Sequence, residues 1–258
     1  MPDKQFSLPC KDSRTSCVPD EGEGVVAVIP AAGSGLRLGA EVPKQFLRVA
    51  GVPILAVTLT AFQNCSLVDA IVVVVPGGDV EFTRREIVER FGLTKVRKVV
   101  PGGERRQDSV MQGLIATDGE YSIVLVHDGV RPLIDPETIA RVVKAGHSSR
   151  AVTVGFPAID TVKEVNSCME VVRTLDRRTL WQVQTPQLFR YKDLMEAHIR
   201  AREENWGDMT DDSLMVERMG IPVKTVKGPQ GNIKVTFSAD LAFMEFLLTR
   251  SPFQEREM

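Results

Sequence analysis

The sequence predicts an α/β protein: a Rossmann-like, mostly parallel twisted sheet with helices on both faces, plus a protruding two-stranded β-arm. Three observations predict it. Short runs apolar at every position recur along the chain, as in strands buried on both faces. Stretches of helical length separate them, and that alternation builds parallel sheets. After Pro157 the alternation breaks into a hairpin pattern and then resumes.

In order, Val25–Ile29 is the first buried strand, ended by Pro30 and a glycine loop. Pro53–Asn64 is a helix, with Pro53 suited to a first helical position. Ala70–Val75 is a strand closed by Pro76-Gly77-Gly78, and Asp79–Phe91 a charged amphipathic helix. Lys95–Val100 is a strand closed by Pro101-Gly102-Gly103, followed by a helix over Arg105–Ala116. Ser122–His127 is a strand, Pro136–His147 a helix and Ala151–Phe156 a strand. Thr161–Val165 and Met169–Leu175, joined by the polar Asn166-Ser167 turn, read as the arm. A lone hairpin is marginal in water, so the arm is expected to rest on another surface, such as a second subunit. Tyr191–Glu204 and Asp211–Met219 are helices, and Pro222–Lys227 and Asn232–Phe237 strands. Ser238 caps a last helix to Arg250. Residues 1–23 read as a disordered polar tail, 24–251 as a single domain with 158–177 as its arm, and 252–258 as a C-terminal tail.

Composition narrows the function. The 258 residues are 43% hydrophobic and 26% charged, with a net charge of −2, ordinary for a globular protein. Basic residues are scattered apart from pairs such as Arg105-Arg106 and Arg177-Arg178, too few to track a nucleic acid. The four cysteines form no CxxC pair, and the three histidines no HExxH helix. No apolar run nears the ~18 residues of a membrane helix, and no secretory signal opens the chain, so a cytoplasmic protein is expected.

Ligands of open α/β sheets sit beyond the carboxyl ends of the strands. Five polar or glycine-rich segments fall there: 30–44, 101–109, 127–132, 160–163 and 228–234. In the first, small residues let backbone N–H groups face phosphates, and the loop delivers Arg37 and Lys44. It is neither a P-loop nor the dinucleotide fingerprint. In the second, Gly103 and Ser109 at a helix start suit a base or ribose. In the third, Asp128 at a strand end suits a magnesium ion or a ribose hydroxyl, whereas His127 reads as a satisfied histidine. Arg177 can clamp a phosphate. Lys234, inside an apolar stretch, must find a partner or reach water.

The segments PAAGSGLRLG with PKQFL, GGERRQDSV, VHDGVRP, TPQLF and NIKVT occur in one order from about Val25 to Arg250. Together they resemble the 2-C-methyl-D-erythritol 4-phosphate cytidylyltransferase family of the non-mevalonate isoprenoid pathway. The resemblance implies a nucleotidyltransferase that joins CTP and methylerythritol 4-phosphate, gives CDP-methylerythritol and releases diphosphate. It implies a magnesium requirement and a homodimer in which each arm reaches over the other subunit's site. Carried over by residue, Pro30, Ala31, Ala32, Gly33, Ser34, Gly35 and Lys44 hold the CTP phosphates, and Arg37 and Lys44 are catalytic. Gly103, Glu104, Ser109, Asp128 and Gly129 hold cytosine and ribose. Arg131, Thr161, Arg177, Thr185 and Lys234 hold the sugar phosphate. The metal contacts Asp128 or is held through the CTP phosphates. Two departures from the family pattern matter: Gly231 stands before Asn-Ile-Lys where the family often has an acidic residue, and Gly129-Val130 stand where it often has Ala-Ala. The rival readings are a ribitol 5-phosphate cytidylyltransferase and a nucleotide-binding regulatory protein without catalysis. A fusion to the next pathway enzyme is not expected, because little chain follows Arg250.

Overall fold

The computed structural model describes residues 24–33 and 42–250, except for the side chains of residues 248–250. Seven strands form the main sheet: β1 (Val25–Pro30), β4 (Ala70–Val75), β5 (Val96–Pro101), β6 (Ile123–Val126), β7 (Ala151–Pro157), β10 (Trp181–Arg190) and β11 (Val223–Lys227). Their order is β11-β7-β10-β6-β1-β4-β5. All pairings are parallel except those of β10, which runs antiparallel to both β6 and β7. Two small antiparallel pairs complete the strands: β2 (Arg48–Val49) with β3 (Val52–Pro53), and β8 (Lys163–Val165) with β9 (Val171–Thr174).

Alternation along the buried strands sends side chains to opposite faces. Ala27, Ile29, Ile71, Val73 and Leu125 pack under α1 (Ile54–Gln63) and α4 (Pro136–Gly146). Val26, Val28, Val72, Val74 and Val126 pack under α3 (Arg106–Ile115), α5 (Tyr191–Glu203) and α6 (Asp212–Arg218). The short α2 (Val80–Thr83) continues into a π-helical stretch, Arg84–Glu89, so the expected helix over 79–91 is present but irregular. The last helix, α7 (Ser238–Arg250), packs Leu241 and Met244 with Val49, Ile54, Val130 and Val235.

Three elements differ from the sequence expectation. The strand β10 falls where no strand was expected. Its buried positions include Gln184, Thr185 and Gln187, which satisfy their polar groups internally instead of presenting an apolar run. Its register shifts between Gln184 and Gln187, around the cis Thr185–Pro186 peptide, and a bulge is where a sheet tolerates a proline. The β2–β3 hairpin is equally unannounced. Ala50 and Gly51 both take positive φ, as a two-residue hairpin turn of this kind requires. Conversely, Asn232–Phe237 is not a strand. The stretch is joined to the β6 loop by one backbone bond, Val235 N–H to the Val130 carbonyl at 2.9 Å.

This topology fixes the site. The chain leaves β1 toward β4 and β5 and returns to β6 on the other side of β1, so the loops after β1 and β6 diverge at a switch point. The loop stems are tied to the sheet: Ala31 N–H donates to the Val74 carbonyl, Gly102 N–H to Val75, and Gly129 N–H to Pro30.

Candidate active site

Four of the five expected segments meet in one cleft. Its walls are Pro30–Gly33, Lys44, Gln45, 103–106, Ser109, Asp128, Val130 and Lys234. Gly102 lets two walls touch, since a Cβ there would lie 2.4 Å from the Ala32 Cβ. Gly129 does the same at the next loop, where a Cβ would lie 2.8 Å from the Ala31 Cβ. The Gly129-Val130 departure thus has a local logic: the glycine seats the loop against Ala31, and Val130 fills the small apolar cluster beside α7. At Gly231 an added Cβ would meet nothing within 4 Å.

Asp128 is the centre of the floor. Its backbone N–H donates to Thr185 Oγ1 at 3.1 Å. Its Oδ1 accepts from Arg106 Nε at 2.9 Å, and its Oδ2 faces Lys234 Nζ at 2.9 Å and Arg131 Nε at 3.4 Å. Burial alone would raise its pKa, but Arg106, Lys234 and Arg131 outweigh that and hold the carboxyl well below its usual range. Lys234 has therefore found a partner, the first of the two outcomes its sequence context allowed. Arg131 also donates to the Asn232 carbonyl at 2.8 Å, which ties the 232–235 stretch over the floor.

His127 is fully buried. Its Nε2 faces the Arg131 carbonyl at 3.1 Å and its Nδ1 the Thr185 hydroxyl at 3.0 Å. A carbonyl only accepts, so these partners assign the proton to Nε2 and make Nδ1 the acceptor. Burial pushes its pKa down to about 4, so the ring is neutral near pH 7. It is a satisfied structural histidine, as its sequence context suggested.

Ser109 shapes the neighbouring wall: its Oγ accepts from the Gly103 N–H at 3.2 Å and donates to the Arg105 carbonyl at the same distance. Arg105 is engaged by Asp108 through both backbone and guanidinium. Thr161 and Arg177 behave differently. Both are exposed, neither lines the cleft, and Arg177 Nη1 donates to the Ile159 carbonyl at 2.7 Å. Ser34, Gly35 and Arg37 lie outside the described residues, as do the expected tails at 1–23 and 252–258.

Sequence reasoning missed three site residues. Arg106 bridges Asp128 to Asp212, with Nη1 2.7 Å from Asp212 Oδ2. Asp212 is wholly buried at the start of α6, and only its distance in sequence concealed it. Gln45 is buried beside Lys44, and neither of its amide atoms has a hydrogen-bond partner among the described residues. The adjacent Lys44 was a signal that could have drawn attention to it.

The sequence profile of the family described as 2-C-methyl-D-erythritol 4-phosphate cytidylyltransferase matches residues 25–250. A relative with that name from Pelotomaculum thermopropionicum is 46% identical over 224 residues, 87% of this chain and 94% of the relative. One from Syntrophus aciditrophicus is 43% identical over 226 residues, 88% and 96% of the two chains. The crystal structure of 4-diphosphocytidyl-2C-methyl-D-erythritol synthase from Anaerococcus prevotii superposes with a TM-score of 0.79 at 32% identity, covering 89% and 97% of the two chains. The Thermus thermophilus 2-C-methyl-D-erythritol 4-phosphate cytidylyltransferase gives 0.72 at 32% identity, covering 88% and 99%. With the cleft, the mixed sheet and this match over residues 25–250, the chain belongs to the 2-C-methyl-D-erythritol 4-phosphate cytidylyltransferase family.

Proposed function

We propose that the chain joins CTP to 2-C-methyl-D-erythritol 4-phosphate and gives CDP-methylerythritol and diphosphate. One observation carries the reading: a glycine-bordered loop with Lys44 faces a buried carboxylate that gathers Lys234 and Arg131, in a chain matched by the family over residues 25–250. An oxygen of the sugar phosphate forms a bond to the α-phosphorus, the bond from that phosphorus to the β-phosphate oxygen breaks, and diphosphate leaves with the electron pair. The attacking oxygen is ionised at neutral pH, so no strong base is needed. That agrees with a histidine held neutral and fully hydrogen-bonded.

In this reading, catalysis is positioning and charge stabilisation. Ala31–Gly35 present backbone N–H groups to the triphosphate, and Arg37 and Lys44 offset the charge that builds on the α-phosphoryl and the leaving group. Gly103, Glu104 and Ser109 receive cytosine and ribose. Asp128 acts chiefly through the cations it holds, and Lys234 and Arg131 face the sugar phosphate. Thr161 and Arg177 reach the site from the arm of the partner subunit. The exposed Val165 and Val171, paired across the two strands, give the arm an apolar face for that docking.

Magnesium belongs to the same reading. Among the described residues no group of three or more His, Cys, Asp or Glu can hold a metal. Both oxygens of Asp128 already face cations, which favours the second of its two expected roles. The ion is then held mainly by CTP phosphates and water, as suits its preference for few protein ligands. When bound, it neutralises phosphate charge. No described helix is long and apolar enough to cross a membrane, and the proposal places the enzyme in the cytoplasm with its soluble substrates.

The test is diphosphate release from CTP and magnesium, with methylerythritol 4-phosphate and ribitol 5-phosphate in parallel. Release with the first alone is expected. Release with ribitol 5-phosphate alone would keep the CTP site and overturn the substrate, and no release with either would favour a regulatory protein.

A further inference from the structure

We propose that Asp212 is a positioning residue for the sugar-phosphate end of the site, acting through Arg106 and Asp128 on Lys234. This rests on the function proposed above. The four side chains form one continuous line of charge. Asp212 Oδ2 meets Arg106 Nη1 at 2.7 Å, Arg106 Nε meets Asp128 Oδ1 at 2.9 Å, and Asp128 Oδ2 meets Lys234 Nζ at 2.9 Å.

The geometry explains why the far end of the line matters at the near end. A guanidinium is a rigid planar fork, so fixing two of its nitrogens fixes its plane. Asp212 supplies one fixed point and Asp128 the other. The carboxylate of Asp128 is in turn gripped on both oxygens, by Arg106 on one side and by Lys234 and Arg131 on the other. Its plane, and hence the place of the Lys234 ammonium, follows from where Arg106 is held. Asp212 is itself wholly buried, at the first residue of α6. The preceding Asp211 pins that helix by accepting from the Gln187 amide at 2.7 Å and from Leu214 N–H at 3.0 Å. Among the described residues His198 also lies near the Asp212 carboxylate, its Nε2 3.4 Å from Oδ1 without hydrogen-bond alignment.

Stability alone does not account for this line. Buried ion pairs are often replaceable by well-packed apolar side chains at no loss of stability, because desolvation offsets their attraction. What an apolar pair cannot do is orient a third charged group. The arrangement also carries the position of α6, whose Asp212 lies 106 residues from Arg106 in sequence, into a cleft that α6 does not line.

The experiment compares Asp212→Asn with Met215→Ala in steady-state kinetics for both substrates, well below each variant's melting temperature. Met215 is buried on the same helix, in the apolar cluster beneath it, and is no member of the line of charges, so it reports plain destabilisation of α6. Asp212→Asn is expected to raise the KM for methylerythritol 4-phosphate about 10-fold or more, the scale of coupling within one ion-pair network. The KM for CTP stays within about 2-fold, and Met215→Ala leaves both within that range, because it removes no charge from the line. If Asp212→Asn yields no folded protein, Arg106→Lys reads the same effect, because a point charge cannot span both carboxylates. An unchanged sugar-phosphate KM, an equal rise for CTP, or an equal rise in Met215→Ala would each overturn the proposal. A wild-type chain inactive with methylerythritol 4-phosphate would instead defeat the functional reading beneath it.

Discussion

The floor of the cleft and the β-arm differ in nearly every physical respect. On the floor, Asp128, Asp212 and His127 are buried and meet their partners within the chain. On the arm, every residue of Lys163–Val165 and Val171–Thr174 is exposed, and Val165, Met169, Val171 and Val172 turn large apolar groups outward. Yet both regions carry residues expected to hold the same sugar phosphate: Arg131 and Lys234 on the floor, Thr161 and Arg177 beside the arm's strands. The floor sets its own geometry, because burial and opposed charges leave its side chains few alternatives. The arm's exposed strands bury no core that sets their geometry, and in the proposed homodimer they rest on the partner subunit. On that proposal, burial separates the part of a site that a chain completes alone from the part that needs assembly.

The largest effect is expected at the phosphate loop. Lys44→Ala should lower kcat about 10²–10³-fold, as loss of one charge-stabilising donor does, and Arg37→Ala should do likewise. Diphosphate release at saturating substrate measures it, and unchanged turnover would remove these residues from the chemistry.

The next effect belongs to the floor. The pKa of His127 falls from an ordinary 6.5 to about 4 on folding, so the unfolded chain binds the extra proton between those values. The stability that neutral His127 contributes is complete above about pH 6.5 and is lost as pH falls through about 4. The loss totals roughly 3 kcal/mol. Urea unfolding from pH 7 to pH 4 should show that slope, and His127→Gln should flatten it. A wild-type profile flat over this window contradicts the burial argument.

A smaller pair of effects sharpens the contrast between regions. Arg177→Ala and Lys234→Ala should each raise the sugar-phosphate KM about tenfold, the scale of one lost charged contact. Only Lys234→Ala should also lower the melting temperature, because Asp128 loses an internal partner there, whereas Arg177 is exposed. Equal thermal behaviour of the two variants breaks the comparison. Smallest of all, Val171→Ser should change the unfolding free energy of a subunit by no more than about 0.5 kcal/mol, as exposed positions do. It should nevertheless weaken subunit association, which sedimentation at graded concentration measures.

Much of this was legible in the sequence because strands buried on both faces have an unmistakable composition. Val25–Ile29 and Ala70–Val75 match the observed strands to within a residue, and four of the five strand-end segments converge as the switch-point rule requires. The failures share a cause. Gln184, Thr185 and Gln187 are buried by hydrogen bonds rather than by apolar character, so β10 carried no strand signal. Ile233-Lys234-Val235-Thr236 shows the period of a strand but makes one bridging bond, because the stretch is tied down through Asn232 and Lys234 to the floor. Arg106 and Asp212 are 106 residues apart, and neither context marks the other. Periodicity reports apolar burial, and it is silent where polar groups are buried in pairs.

The most direct test mixes two defective chains. Lys44→Ala has a damaged phosphate loop and an intact arm, and Arg177→Ala the reverse. Each alone should form little CDP-methylerythritol at limiting methylerythritol 4-phosphate. Mixed and allowed to exchange subunits, they should regain substantial activity, because half the sites of each mixed dimer pair an intact cleft with an intact arm. Activity no higher than the sum of the separate variants would show that the arm serves its own subunit, and the division of the site between two chains would be wrong.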